Sequence, residues 1–183
     1  MEYIDYLCNQ IGIKMEVYHG SYIEVTSPRI INGRYTKDFG IGFYCTTQKQ
    51  QAIGRKTKNY RSTIVNALGK KELQHIYDYA DVYHCENIDK VSDELIEKHH
   101  IEEGYFDNIA TARYAVPSHW DIGKVYQPLI LDVTQATGSD LIDTLITVYN
   151  SWITRKIDNY NSSMYYENSS YLFESYKAGT VLA

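Results

Sequence analysis

The stretch IGFYCTTQKQQAIGRKTKNYR, residues 41–61, decides how this chain is read. Its first third, IGFYCTT, is a compact aromatic and β-branched run behind Asp38, Gly40 and Gly42, the composition of a strand. The remainder, from Gln48, reads as the helix that follows, with Thr47 as N-cap and Gly54 as its weak point. Upstream, MEVYHGS (residues 15–21) alternates Met15, Val17 and His19 with Glu16 and Tyr18 until Gly20 interrupts, which predicts another strand. Downstream, STIVNAL (residues 62–68) is a third strand candidate. The long connection SPRIINGRYTKDFG carries Pro28, Asn32-Gly33 and Gly40, all turn chemistry.

Working outward, residues 1–9 suit a short helix, and from about residue 70 to about 160 the pattern turns helical. SDELIEKHH offers Ser92 as a cap with Glu94 and Glu97 behind it. DIGKVYQPLILDV predicts a helix that Pro128 bends or ends near Tyr126. The clearest helix starts at Ser139-Asp140: Leu141, Ile142, Leu145, Ile146, Tyr149, Trp152 and Ile153 recur at three- and four-residue steps, one apolar stripe facing a core. DNYNSSMYYENSS is a polar loop, and SYLFESY (residues 170–176) is a last strand. Strands first, helices in the middle and a late strand together predict an α+β fold. There is no internal repeat and no interdomain linker, so one domain spans 1–183 with a mainly helical insertion at about 70–160.

Composition excludes several classes of function. The 183 residues are 44% hydrophobic and 22% charged, ordinary for a globular chain. A net charge of −5 lacks the basic footprint of a dedicated nucleic-acid binder, and GRKTKNYR reads as a solvated face. The three cysteines, Cys8, Cys45 and Cys85, have no paired spacing, so no disulfide framework is implied and a reducing, cytoplasmic setting follows. His84-Cys85 and His99-His100 are adjacent residues that point apart, and no metal is assigned. The first eighteen residues have neither a signal-peptide pattern nor a membrane span. Gly40-Ile41-Gly42 lacks the third glycine of a dinucleotide fingerprint, and no P-loop appears. Tyrosine is the oddity, with 19 against 4 Phe and 2 Trp; a ring that buries while its hydroxyl stays wet suits half-buried surfaces.

A bare glycine after a strand histidine lets a ligand approach the backbone closely. Tyr44, delivered by the glycine-hinged turn 25 residues after His19, would set a flat ring opposite it. That pairing makes a slot for a planar, amide-bearing ring; an oxidised, cationic nicotinamide would be drawn further to the tyrosine face. His19 would hydrogen-bond a hydroxyl beside the ring.

VYHGSYIEV followed by KDFGIGFYCTTQKQQA resembles the start of the ADP-ribosyltransferase fold in its His-Tyr-Glu class. The closest likeness is to a group of small bacterial proteins suspected of toxin–antitoxin roles. The resemblance covers residues 16–52, with a weaker echo in NSSYLFESYKAG. It implies a split β core and an NAD-dependent mono-ADP-ribosyltransferase with a macromolecular acceptor, protein rather than nucleic acid, and an antitoxin partner. His19 would bind a ribose hydroxyl, Gly20 and Ser21 the nicotinamide amide, and Tyr44 would stack on the ring. Arg34 or Lys37, on the intervening connection, would touch the pyrophosphate. The class places a glutamate, in this bacterial group often a glutamine, at the lip of the last strand, where Ser170 falls here. Either Glu167 reaches in from the loop, or Glu174 is the residue, or transfer has been lost and the chain works as a binding module. Arg113, His119 and Trp120 form a polar-aromatic patch that ordinary helix packing explains.

Overall fold

The computed structural model describes residues 43–182. Among them there is no strand; eight α-helices and one 3-10 turn follow one another. They are α1 (Phe43–Lys56), α2 (Arg61–Asp78), α3 (Ala80–Cys85), α4 (Ile88–Lys98), α5 (His119–Thr137), α6 (Leu141–Tyr149), α7 (Trp152–Ile157), the 3-10 turn Met164–Tyr166 and α8 (Ser169–Ala178). The α+β expectation with a split β core is thereby corrected: the described part of the chain is helical. The expected helix over residues 1–9 and strand over 15–21 lie outside the described residues.

Three expected strands prove helical, each for a packing reason. In α2, Ile64, Val65 and Leu68 are buried while Asn66 is exposed, the i, i+1, i+4 face of a helix and not the alternation of a strand. In α8, Leu172 and Ser175 go inside, three residues apart. That helix is closed at its start by Asn168, whose Oδ1 accepts from Ser170 N at 2.9 Å, and at its end by Gly179 in the left-handed region. The run from Phe43 is the first turn of α1, which packs against α2, α3, α4 and α5. Among the described residues its β-branched threonines have only helices to pack on, and tertiary context overrides local preference.

α5 carries the middle of the core. Its start is a capping box: Ser118 Oγ accepts from Asp121 N, and Asp121 Oδ2 accepts from Ser118 N. Pro128 sits inside this helix and does not end it. An interior proline costs about 3 kcal/mol. Against that, α5 buries Ile122, Tyr126, Leu129, Ile130 and Val133, worth roughly 1.5–3 kcal/mol each, so the helix persists. α6 packs on α2 and α5. The apolar stripe from Leu141 to Ile153 exists, but it runs over two helices because the chain breaks at Asn150-Ser151 before α7.

Helix ends follow local signals in part. Asp140 caps α6 as its position suggested, Oδ1 accepting from Ile142 N and Asp143 N at 3.1 Å. α4 instead begins at Asn87, and Ser92 is buried inside it. Two helices end in Schellman motifs without glycine. After α1, Asn59 N donates to Gly54 O with Lys58 at φ 50; after α4, Ile101 N donates to Ile96 O with His100 at φ 49. No described helix is long and apolar enough to cross a membrane.

Candidate functional site

The run from Thr46 to Gln51 in α1 is the least ordinary among the described residues. Thr46, Thr47, Gln48, Lys49, Gln50 and Gln51 are all buried, none more than 3% exposed. A helix this polar would normally face water. Here α5 comes close at Gly123, where an added Cβ would lie 3.3 Å from Thr47 Oγ1 and from Gln48 Cγ. Thr47 Oγ1 donates to the Gly123 carbonyl at 3.4 Å. Lys49 Nζ donates to the Tyr83 carbonyl at 3.5 Å and sits 4.9 Å from that ring's centroid.

The amides on this helix are only partly paired. Gln48 Nε2 and both side-chain amide atoms of Gln50 are buried with no hydrogen-bond partner, whereas the Gln51 amide faces the Tyr149 hydroxyl and the Asp158 carboxyl. Such groups are rare in folded chains, and each costs of the order of 1–3 kcal/mol. Tyr44 is the second residue of α1.

Behind the glutamines lies a buried polar network anchored on Arg61, the first residue of α2 and wholly buried. Its Nε donates to Gln51 Oε1 at 2.9 Å, Nη1 to the Asn59 carbonyl at 2.8 Å and Nη2 to Asn108 Oδ1 at 3.3 Å. Asn108 Nδ2 in turn donates to the Asp158 carbonyl at 3.0 Å. The Asp158 carboxylate accepts from Tyr126 OH at 3.2 Å, and Tyr126 stacks on Tyr149 with centroids 4.3 Å apart. Burial pushes Asp158 up to about 6, although Arg61 and the Tyr126 hydroxyl draw it down. Burial likewise raises both tyrosine hydroxyls, so neither ionises near neutrality. A carboxyl that titrates near pH 6 beside an arginine is the kind of group functional sites contain. Its full enclosure by α1, α2, α5 and the chain after α7 makes it a support for α1, not a group that meets solvent.

The residues expected from sequence are dispersed. His19, Gly20, Ser21, Arg34 and Lys37 lie outside the described residues. The late candidates do not stand on the lip of a strand, and the fold correction removes that premise. Glu167 follows the 3-10 turn, half-buried; Ser170 and Glu174 share one exposed face of α8. Ser170 Oγ donates to Asn168 Oδ1 at 2.8 Å, and Glu174 accepts from Lys177 Nζ at 3.1 and 3.2 Å. In the polar-aromatic patch, Arg113 is exposed in a loop, while His119 and Trp120 open α5. Burial lowers the His119 pKa, and the nearby Arg55 lowers it further, so the ring is neutral at pH 7. Sequence reading missed the buried glutamines and Arg61 altogether; their polarity signals surface, and only distant partners reverse it.

A family model described as "Protein of unknown function (DUF3990)" matches residues 15–174. No curated protein and no solved structure matches the chain.

Proposed function

This chain belongs to the DUF3990 family, and from that premise we propose that it is an NAD-dependent mono-ADP-ribosyltransferase of the bacterial cytoplasm, transferring ADP-ribose to a protein acceptor with release of nicotinamide. The observation that carries the reading is the joint occurrence of Tyr18-His19-Gly20-Ser21 and Asp38-Phe39-Gly40-Ile41-Gly42-Phe43-Tyr44. Both lie within the family match, which opens four residues before His19 and closes on Glu174. The net charge of −5 favours a protein acceptor over nucleic acid.

The chemistry suits a sparse site. Breaking the bond between nicotinamide and ribose builds positive charge on the sugar, and the ring leaves neutral, so no acid is needed to protonate it. Catalysis rests on holding the dinucleotide and stabilising that charge. In this reading His19 holds a ribose hydroxyl, Gly20 and Ser21 the amide, Arg34 the pyrophosphate, and Tyr44 stacks on the ring. The charge on the sugar falls to Glu167 or Glu174.

A second reading is favoured by the late residues themselves. Glu174 is engaged by Lys177 and the Ser170 hydroxyl by Asn168, which suits a non-catalytic module that binds NAD and works through a partner such as an antitoxin. One experiment separates the two: the full chain is incubated with NAD, and nicotinamide release and calorimetric binding are both followed. Release that is abolished by His19→Ala and weakened by Tyr44→Ala supports transfer. Binding without release, with activity gained on Ser170→Glu, supports the module. No binding and no release at any NAD concentration ends both readings.

A further inference from the structure

Remote from α1 in sequence, the loop before α5 and the turn after α7 enclose a hollow of about 360 Å³, at the lower end of the roughly 300–1,000 Å³ typical of ligand sites. Its rim is Tyr114 and Tyr166, which are 69% and 68% exposed. Tyr165 forms part of its wall, with Asn161, Ser162 and Ser163 beside it.

The two sides of the hollow are pinned together before any ligand arrives. Asn161 Nδ2 donates to the Thr111 carbonyl at 3.0 Å while its Oδ1 accepts from Arg113 N at 2.7 Å, which ties the segment leading to Tyr114 onto the turn. Arg55 makes a second clamp: its Nη2 donates to the Pro117 carbonyl and to Tyr160 OH, each at 2.7 Å. Preorganised walls spare a ligand the cost of ordering them.

Chemistry narrows the occupant. Every side chain that lines the hollow is a tyrosine, a serine or an asparagine, neutral but tipped with a hydroxyl or an amide. With no lysine or arginine in the lining, an anion has no counter-charge. A cation is disfavoured as well, because the Arg55 guanidinium already lies 5.3 Å from the centroid of Tyr160, another lining residue. The ring planes do not favour a flat base. Tyr165 meets Tyr166 at 90° and Tyr160 at 72°, with centroids 4.9 and 5.7 Å apart, so neither neighbouring pair stacks in parallel and Tyr165 presents a single face. A ligand with one apolar C–H face and hydroxyls around its edge matches all of this: the face lies on a tyrosine, and the edge meets phenol and serine hydroxyls.

We propose that this hollow is a binding site for a neutral sugar ring, of one to two residues by its size. It is independent of the NAD reading and uses none of its residues. The sugar comes either as a free oligosaccharide or as a glycan carried on a protein, and the test separates these sources. The full chain is titrated with maltotriose, cellotriose and chitotriose, and separately with a glycoprotein bearing high-mannose chains and its deglycosylated form. Binding is followed by saturation-transfer NMR and calorimetry. The expected result is saturable binding in one arm, weakened about tenfold by Tyr166→Ala and by Tyr114→Ala, each a loss of one stacking face. Tyr105→Ala, at a tyrosine 95% exposed and outside the hollow, serves as the control and leaves binding intact. Far-UV circular dichroism checks that each variant is folded. The proposal is overturned if no sugar binds, if Tyr105→Ala weakens binding as much as the rim variants, or if adenosine or tetramethylammonium saturates the site and displaces the sugar.

Discussion

Replacing Gly54 by alanine tests the buried arginine directly, because local and tertiary physics give opposite signs. Gly54 lies inside α1, where alanine is favoured by about 1 kcal/mol; from helix propensity alone the substitution stabilises. The packing says otherwise. A Cβ at position 54 would stand 2.6 Å from both Cδ and Nη1 of Arg61 and 2.9 Å from its Nε. Those are not the far ends of a loose side chain. Arg61 is wholly buried and held by Gln51, the Asn59 carbonyl and Asn108, so it yields only by giving up bonds. Forcing a methyl group into a filled space costs about 1–3 kcal/mol, and a hydrogen bond lost from a charged group about 1.5–3 kcal/mol. Subtracting the propensity gain leaves a net loss of about 2 kcal/mol, a drop of roughly 4–8 °C in Tm for a chain of this size. Urea denaturation followed by circular dichroism measures it as a lowered midpoint. The double variant Gly54→Ala/Arg61→Ala removes the clash along with the guanidinium, so alanine at 54 should cost far less in that background. A Gly54→Ala protein that is as stable as wild type, or more so, refutes the placement of Arg61 against α1.

Three further outcomes follow from other sites. The Asp158 carboxyl is raised to about 6 in the fold, above its value of about 3.9 in the unfolded chain. Between pH 4 and 6 the folded state therefore holds the extra proton, and stability conferred at this site falls as pH rises, by about 2–3 kcal/mol in all. Measured against Asp158→Asn, in which other groups cancel, wild type should lose that amount of relative stability over the interval; a flat difference shows that the carboxylate is not buried. His100 closes α4 at φ 49, where glycine is unstrained. His100→Gly should raise the urea midpoint by about 0.5–1 kcal/mol of stability, and a fall would mean that the Schellman motif does not form. Gln50→Met removes a buried amide that has no partner and replaces it with an apolar chain of like volume. Unfolding should become harder by about 1 kcal/mol, and a clear loss would show that the amide is bonded in the folded protein.

What could be read from sequence was the chemistry that stays within one turn. Asp140 caps α6, and the apolar steps from Ile142 to Ile153 face the core, because caps and a 3.6-residue period are written in neighbouring residues. Residues 62–68 and 170–176 show where this fails. Ile64, Val65 and Leu68 satisfy a helical face and also look like a β-branched strand, and in so short a run both periods find matches. The deciding fact is that α2 lies against its neighbour α1 and against α6, which is distant in the chain. Pro128 misled in the other direction: its local penalty is real, yet the five side chains that α5 buries outweigh it.

The candidate site was hidden for a sharper reason. TTQKQQ looks like a solvated surface, and no propensity or period places it in a core. It is buried because Gly123 lets α5 approach and because Gly54 leaves room for Arg61; neither glycine announces this from its own neighbourhood. A fold that needed only stability would fill these positions with leucine, since each unpaired amide on α1 works against folding. On the NAD reading they stand for an exchange of stability for function. If Gln50→Met stabilises the chain and also weakens NAD binding, both halves of that exchange are seen in one variant. Stabilisation with unchanged binding assigns Gln50 to the core.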